Sequence, residues 1–388
     1  MKRPRIALIG CGRIGFLLES DPLRYKPCTH FGGASSAGLR ITHACDIDPV
    51  RLEGFIRAAG IRRENAFASH RALFDSVRPE LVIISTWTES HAEIGIRAAE
   101  RGARVIVCEK PLAASLRDAA RLVDACERHG ARLIVNHERR YDPRYAKIRS
   151  MIEDGVIGQV RTVHASILTG GFRGVSRAEM GGGPLLHDGT HMIDLIRYLF
   201  GDIVSVAGEF DRAGGRKSGF EDRAAAWLKT RGGIDVFLEA GGSREYFVFE
   251  LSISGTKGKI VAGNGYQSLY AARSSRYYTG FRDLVERPFP RYRRANYFTN
   301  EYREAGRLLS GEDGPVSSTG TDGYRAIEAI HAIYLSAAKG RKIVELPVNP
   351  GTIRIKDIFA LLFFTKRTGG IITLSNTAGS GGRHAAVT

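Results

Sequence analysis

Over the first 140 residues, short uninterrupted apolar runs alternate with longer stretches whose apolar residues recur at helical spacing. The runs are 6–9, 40–45, 81–85, 104–108 and 132–135, and the helical stretches include 89–100 and 115–128. A strand covered on both faces reads as a continuous apolar run, so these are expected to be strands of a doubly wound parallel sheet joined by crossover helices. Asp48 with Pro49, and Asp142 with Pro143, mark two further helix starts. Beyond about residue 150 the pattern changes. The stretches 160–167, 203–210, 224–230, 234–240, 246–254 and 259–262 read as strands without regular helices between them, which predicts a large, mostly antiparallel open sheet. One helix, 185–200, interrupts that series, and helices at 299–309 and 322–339 are expected to close the second domain. The fold class is therefore α/β, with an N-terminal doubly wound domain over 1–137 and an α+β domain over 138–350. The tail, 351–388, ends in a Gly-, Ser-, Thr- and Ala-rich stretch expected to be poorly ordered.

The first apolar run breaks at once into Gly10, Gly12 and Gly15. In a dinucleotide loop, Gly10 serves the tight strand-to-helix turn, Gly12 the close approach of a pyrophosphate, and Gly15 the packing of the following helix on the strand. The amides at that helix start then face the phosphate. A GxGxxG pattern arises by chance in a chain with 46 glycines, but this one follows a strand and opens a helix at the start of the chain. The stretch 20–39, with its GGASSAG run, reads as a long loop. Asp46 ends the second strand, where a ribose diol is held, although it lies 31 residues past Gly15. The usual interval is about 20, so the loop is expected to carry the excess. Ile47 stands where an arginine would hold a 2′-phosphate, which favours NAD over NADP. Ligands bind at the carboxyl ends of parallel strands, and Gly12, Asp46, Thr86, Lys110 and Asn136 all fall there.

Charge and cysteines narrow the picture little. The net charge of +16 admits an acidic small molecule or nucleic acid, but the basic residues are scattered except over 273–294. There arginines interleave with Tyr277, Tyr278, Phe281 and Phe289, and a solvated face is the leading reading, ahead of a site for an acidic substrate and of nucleic acid. The five cysteines form no CxxC pair and read as small buried residues of a reducing cytoplasm. No apolar run reaches the roughly 18 residues of a membrane span, and neither a membrane nor a nucleic acid is expected as a partner.

Two stretches supply candidate chemistry. Lys110, in CEKPL, follows a strand that ends at the ligand edge. In GGGPLLHDGTHMIDLIRYLFGD, His187, His191 and Asp194 stand at i, i+4 and i+7 of one helix, while Asp188 and His191 approach at i and i+3. Histidine suits acid/base work near neutrality, and a helix histidine bonded to Asp188 is an equal reading of His191. No HExxH glutamate or third ligand accompanies the two histidines, so no metal is expected.

In the order and spacing of these motifs the chain resembles the Gfo/Idh/MocA oxidoreductases over roughly residues 3–347. The resemblance rests on the glycine loop, Asp46, Thr86 with His91, Glu109-Lys110-Pro111, Arg140-Tyr141-Asp142-Pro143, the triple glycine with His191 and Asp194, and GRKIVELP. It implies a Rossmann domain and an open-sheet domain that often forms the interface of a homodimer or homotetramer. It also implies NAD, held by Gly10, Gly12, Arg13, Ile14, Gly15, Asp46, Thr86, His91, Glu109 and Lys110. The implied catalytic pair is His191 as acid/base and Lys110 polarising the reacting oxygen, with Arg140 and Asp188 as further substrate contacts. Two positions depart from the family pattern: His187 stands where many members have an aspartate, which brings it into the catalytic set, and Trp87 replaces a proline. The implied reaction is hydride transfer between a nicotinamide and a secondary alcohol or ketone of a sugar, inositol or sugar derivative, nucleotide sugars included. An NAD-dependent glycosidase and a non-catalytic dinucleotide-binding regulator are the alternatives on the same fold.

Overall fold

The computed structural model describes residues 3–169, 182–211, 220–242 and 244–349. Gly181 of the triple glycine and the tail 351–388 lie outside the described residues. Six strands, β1 (Ile6–Ile9), β2 (His43–Cys45), β3 (Ala66–Phe67), β4 (Leu81–Ile84), β5 (Val105–Cys108) and β6 (Arg132–Val135), pair in parallel in the order β3-β2-β1-β4-β5-β6. The strand order reverses between β1 and β4, which opens a crevice at their carboxyl ends. Every residue of β1, β4 and β5 is buried, as expected of strands covered on both faces. The covering helices are α1 (His30–Ser36), α2 (Pro49–Ala59), α3 (His70–Ser76), α4 (Thr88–Glu100) and α5 (Leu116–Arg128). Asp48 caps α2 ahead of Pro49, and Ser115 caps α5. The two-residue β3 and the helix α3 after it are too short to show a period.

The second unit begins with α6 (Pro143–Glu153), capped by Asp142. Then come β7 (Val160–Leu168), α7 (Pro184–His187), α8 (Gly189–Phe200), β8 (Ile203–Asp211), β9 (Arg223–Thr230) and β10 (Asp235–Gly241). They are followed by β11 (Val248–Gly255), β12 (Gly258–Gly263), β13 (Tyr266–Ser274), β14 (Arg282–Arg287), α9 (Tyr297–Ser310), α10 (Gly320–Ala338) and β15 (Val344–Glu345). The nine strands run β14-β13-β12-β11-β7-β10-β9-β8-β15, antiparallel throughout except for β7 with β10.

Two expectations are corrected. The strands β13 and β14 lie inside the arginine-aromatic stretch, which carried no strand signal because β14 is exposed at nearly every position. The last two helices do more than close the second unit. Phe298, Tyr302, Ala305 and Leu309 of α9 share an apolar cluster with Leu8, Ile83 and Val107 of the parallel sheet. Ile327 of α10 joins Leu112, Leu133 and Val135, while Ala326, Ile330 and Ile333 of the same helix pack into the core of the nine-stranded sheet. α10 therefore belongs to both cores and brings the start of α8 to the ligand edge of the parallel sheet.

Candidate active site

At the end of β1, Gly10 has φ +96°, and a Cβ there would clash with the main chain of Ser85; a Cβ on Gly15 would clash with the Gly10 carbonyl. At Gly12 a Cβ would meet nothing within 4 Å. The amides of Gly12, Arg13 and Ile14 donate to no described group, and the Arg13 side chain is exposed beside them. An open space above a run of free N–H groups is the shape and chemistry that a pyrophosphate needs. Asp46 stands across this loop at the end of β2, with one carboxylate oxygen 2.7 Å from the Cys11 amide and the other 2.8 Å from that of Asp48. Ile47 beside it is 86% exposed, so the residue next to Asp46 in the chain is neutral.

The helix expected after the glycines exists in two pieces. Residues 12–18 make one helical turn, with Phe16 N bonding Gly12 O at 2.9 Å. The chain then leaves on an excursion and returns at α1, where His30 N bonds Ile14 O and Phe31 N bonds Gly15 O, both at 3.0 Å. α1 thus takes up the hydrogen bonds that a continuous helix would have made. The GGASSAG run is mostly helix, and the excursion accounts for the long interval from Gly15 to Asp46. Asn296, the cap of α9, holds the excursion by donating to Pro27 O at 2.8 Å.

The splice places His30 in the interior. Its ring nitrogens lie 2.7 Å from Tyr302 Oη and 2.9 Å from Glu109 Oε1, and Asn136 Nδ2 donates to the same Glu109 oxygen. The other carboxylate oxygen accepts the Lys110 amide at 3.1 Å. Burial alone would raise the Glu109 carboxyl, but His30, Lys110 and Asn136 together bring it down to about 2. Glu109 therefore braces the loop that carries Lys110 from below. His91 has a similar place: one ring nitrogen is 2.9 Å from Pro111 O and the other 3.0 Å from Thr86 O. It is fully buried and clamps the loops after β4 and β5 together, so its bearing on a cofactor is through their backbone. Thr86 and the half-exposed Trp87 form the rim above it.

Lys110 reaches across to the second unit, where Nζ donates to the His187 carbonyl at 2.9 Å. His187 is the last residue of α7, and the helical ladder is interrupted at Asp188, whose carbonyl accepts His191 N at 3.2 Å in an i→i+3 bond. The spacing rules of one continuous helix do not cross this junction. Asp188 pairs with His187 Nδ1 at 3.1 Å, so the expected contact between Asp188 and His191 is not made. No described residue hydrogen-bonds either ring nitrogen of His191, and its Nδ1 is buried. Burial, followed by the positive charge of Lys110 and Arg139, holds its pKa well below the ordinary histidine range.

Arg140, expected at the substrate, is committed elsewhere. It donates two bonds of 2.8 Å to the fully buried Asp194 of α8, one of 3.0 Å to Asp322 of α10 and one of 3.0 Å to Ser317 O. Its neighbour Arg139 sits 4.4 Å over the Phe249 ring, close enough to depress the proton affinity of His191. A 3₁₀ turn over Glu138–Tyr141 points the two adjacent arginines in different directions, and the motif ERRYD does not say which one faces the cleft. Sequence reasoning also missed His137, whose ring lies 6.4 Å from that of His191.

The arginine-aromatic hairpin points away from this site. Phe249 lies at the start of β11, Gly263 of β12 is opposite Glu250, and Tyr266 of β13 is opposite Gly263. From there β13 runs to the far end of the sheet, where Arg273 pairs with Asp283 and Ser274 with Arg282. Arg273, Arg276 and Arg282 are exposed at that end, as the solvated-face reading expects.

Residues 4–137 match the profile of an oxidoreductase family's NAD-binding Rossmann fold, and residues 149–346 match the C-terminal alpha/beta domain of the same family, Gfo/Idh/MocA. The chain is 27% identical over 362 residues to D-apiose dehydrogenase of Paraburkholderia graminis, a match covering 88% of this chain and 90% of that one. It is 25% identical over 351 residues to inositol 2-dehydrogenase of Salmonella typhimurium, covering 89% and 98%. Among solved structures, the WlbA dehydrogenase from Bordetella pertussis, in complex with NADH and UDP-GlcNAcA, superimposes with a TM-score of 0.71 at 23% identity, covering 90% of this chain and all of that one. With both domain profiles matched in order and the glycine loop, Asp46 and Lys110 brought to one edge of the parallel sheet, the chain belongs to the Gfo/Idh/MocA family of NAD-dependent oxidoreductases.

Proposed function

We propose that this chain interconverts a secondary alcohol and a ketone on a sugar, cyclitol or sugar derivative, with Lys110 and His191 as the catalytic pair. The observation that carries this reading is the junction where Lys110 Nζ meets the break between α7 and α8, beside a histidine whose ring nitrogens have no described partner. NAD, when bound, supplies the hydride acceptor. The free amides at Gly12, Arg13 and Ile14 would hold its pyrophosphate and Asp46 a ribose diol. The Lys110 ammonium orients the substrate oxygen and favours the developing alkoxide. Neutral His191 takes the proton from the hydroxyl oxygen as hydride leaves the carbon that bears it, and the C–O bond becomes the ketone. Arg139, mostly buried, 3.6 Å from Glu138 and carrying no described hydrogen bond, is near enough to act on the His191 proton and is a further substrate contact; the ion pair of Arg140 makes it a positioning residue. The names of the relatives point to sugars and inositols, nucleotide sugars included. A panel of these compounds, followed by nicotinamide absorbance, should give turnover with at least one of them. Release of an aglycone without net reduction of NAD would indicate the glycosidase instead, and binding without turnover a regulator.

The protein is further proposed to be a cytoplasmic homodimer or homotetramer. Five buried, unpaired thiols suit a reducing compartment, and Phe237, Tyr246 and Phe247 are about half exposed on the second unit. Light scattering on the purified chain tests the assembly: a monomer at micromolar concentration overturns it.

A further inference from the structure

We propose that His137 is the positioning residue of His191, joined to it by one buried water, so that Asp194, His137, water and His191 form a line that leaves Nε2 of His191 as the base. The inference rests on the assignment of His191 as the acid/base. His137 is 1% exposed, and its Nδ1 lies 3.3 Å from Asp194 Oδ1 and 3.2 Å from Ser318 Oγ. The Asp194 carboxylate beside Nδ1 favours the proton on that nitrogen, which then donates to Ser318 Oγ and leaves Nε2 as an acceptor. Nε2 of His137 is buried with no partner among the described residues, and so is Nδ1 of His191, on rings whose centroids are 6.4 Å apart and nearly perpendicular. Buried polar atoms seldom go unpaired, and a buried water typically makes about three hydrogen bonds to such groups. A water that accepts from His191 Nδ1–H and donates to His137 Nε2 satisfies both nitrogens.

The arrangement selects one tautomer of His191. With the proton on Nδ1, the Nε2 lone pair is free to take a hydroxyl proton, and the imidazolium so formed keeps its Nδ1–H bond to the water. The charged and titratable groups around His191 include Lys110 and Arg139, whose charges oppose its protonation, and His137 and His187, which do so only when protonated. Around His137 they are Asp194, Arg140, Asp322 and Arg197. Burial pushes the His137 pKa down, which keeps the ring neutral and able to accept. His187, four residues before His191, does not fill this role, since its ring bonds Asp188.

The test reads the proton on His191 without requiring turnover, so it stands apart from the dehydrogenase reading. Diethylpyrocarbonate modifies neutral histidine, and tryptic peptide 178–197 carries both His187 and His191, which fragmentation resolves. In the unmodified protein the modification rate of His191 should fall on acidification through its apparent pKa. His137→Phe keeps the aromatic volume and removes the acceptor, so that pKa should move further down by about half a unit, with His187 unchanged as the internal control. His137→Gln, whose amide oxygen can accept, should restore most of the shift. An upward shift in His137→Phe would mean that His137 acts only as a neighbouring positive charge, and it overturns the proposal, as does no shift. Should His137→Phe not fold, a high-resolution crystal structure of the wild-type protein decides: a water within hydrogen-bond distance of both nitrogens supports the line, and direct packing without one overturns it.

Discussion

The His191 imidazole sits among Lys110, Arg139, His137 and His187, and burial and the Lys110 and Arg139 cations act on its proton in the same direction. Both favour the neutral ring. With His191 as the proposed base, oxidation of an alcohol requires its neutral form, so activity in that direction should be lost as pH falls through a value below the ordinary histidine pKa of 6.5. The pH profile of kcat/KM for oxidation should therefore be flat through neutrality with its acid limb below that value; a limb at or above it would contradict the assignment. His191→Ala should lower kcat by about 10² to 10⁴ while leaving the Kd for NAD(H) near that of the wild type. His187→Ala should cost much less, because Lys110 bonds the main-chain carbonyl of His187, which the substitution keeps. If His187→Ala is the inactive variant and His191→Ala turns over normally, the proton route runs through His187. At the other end of the crevice, the Asp46 carboxylate repels a 2′-phosphate, so NAD(H) should bind more tightly than NADP(H), and Asp46→Ala should narrow the gap in a titration.

Among the elements, the spliced crossover helix has the widest consequences. Because α1 resumes the hydrogen bonds of the glycine turn at Ile14 and Gly15, residues beyond the excursion return to the positions that a short crossover would have occupied. His30 at its start then meets Glu109 and Tyr302, tying the first helix, the Lys110 loop and α9 into one buried cluster. His30→Ala leaves the Glu109 carboxylate short of its partner, and breaking a buried pair costs about 3–5 kcal/mol, measurable by urea denaturation at neutral pH. The sign with pH follows from the Glu109 carboxyl, lowered from 4.5 to about 2 in the fold. Its contribution is fully present above the higher value and lost as pH falls through the lower one. The stability gap between wild type and His30→Ala should therefore close over that acid range; a gap independent of pH would place the loss in packing alone. The break at Asp188 is the second consequential element, since it turns His187 and Asp188 toward each other and leaves His191 to face Lys110 and His137.

For the whole molecule, α9 and α10 decide how the two sheets cohere. α9 supplies Phe298, Tyr302 and Leu309 to the core of the parallel sheet, and α10 is shared by both cores. The boundary drawn at residue 137 therefore divides a chain whose C-terminal helices cover the N-terminal sheet. A fragment of residues 1–137 exposes the face formed by Leu8, Ile83 and Val107, and it should show no cooperative thermal transition, whereas the full chain should melt as one unit in calorimetry. A soluble, cooperatively folding fragment would refute this. α10 also holds the candidate catalytic junction, since Arg140 ties Asp194 of α8 to Asp322 of α10.

The amino-acid sequence by itself determined what depends on local pattern. Continuous apolar runs named five of the six parallel strands, Asp48, Ser115 and Asp142 set helix starts, and the glycines with Asp46 marked the cofactor edge, because each signal is carried by residues adjacent in the chain. Only the tertiary structure decided what depends on residues far apart. The engagement of Arg140 in ion pairs rests on Asp194 and Asp322, more than 50 and 180 residues away. The helical nature of the GGASSAG run rests on carbonyls across the excursion, and the distal place of the arginine hairpin on strand register. Packing and ion pairing over such distances leave no period in the sequence, and for that reason His30 and His137, both buried beside the candidate catalytic pair, became visible only in the fold.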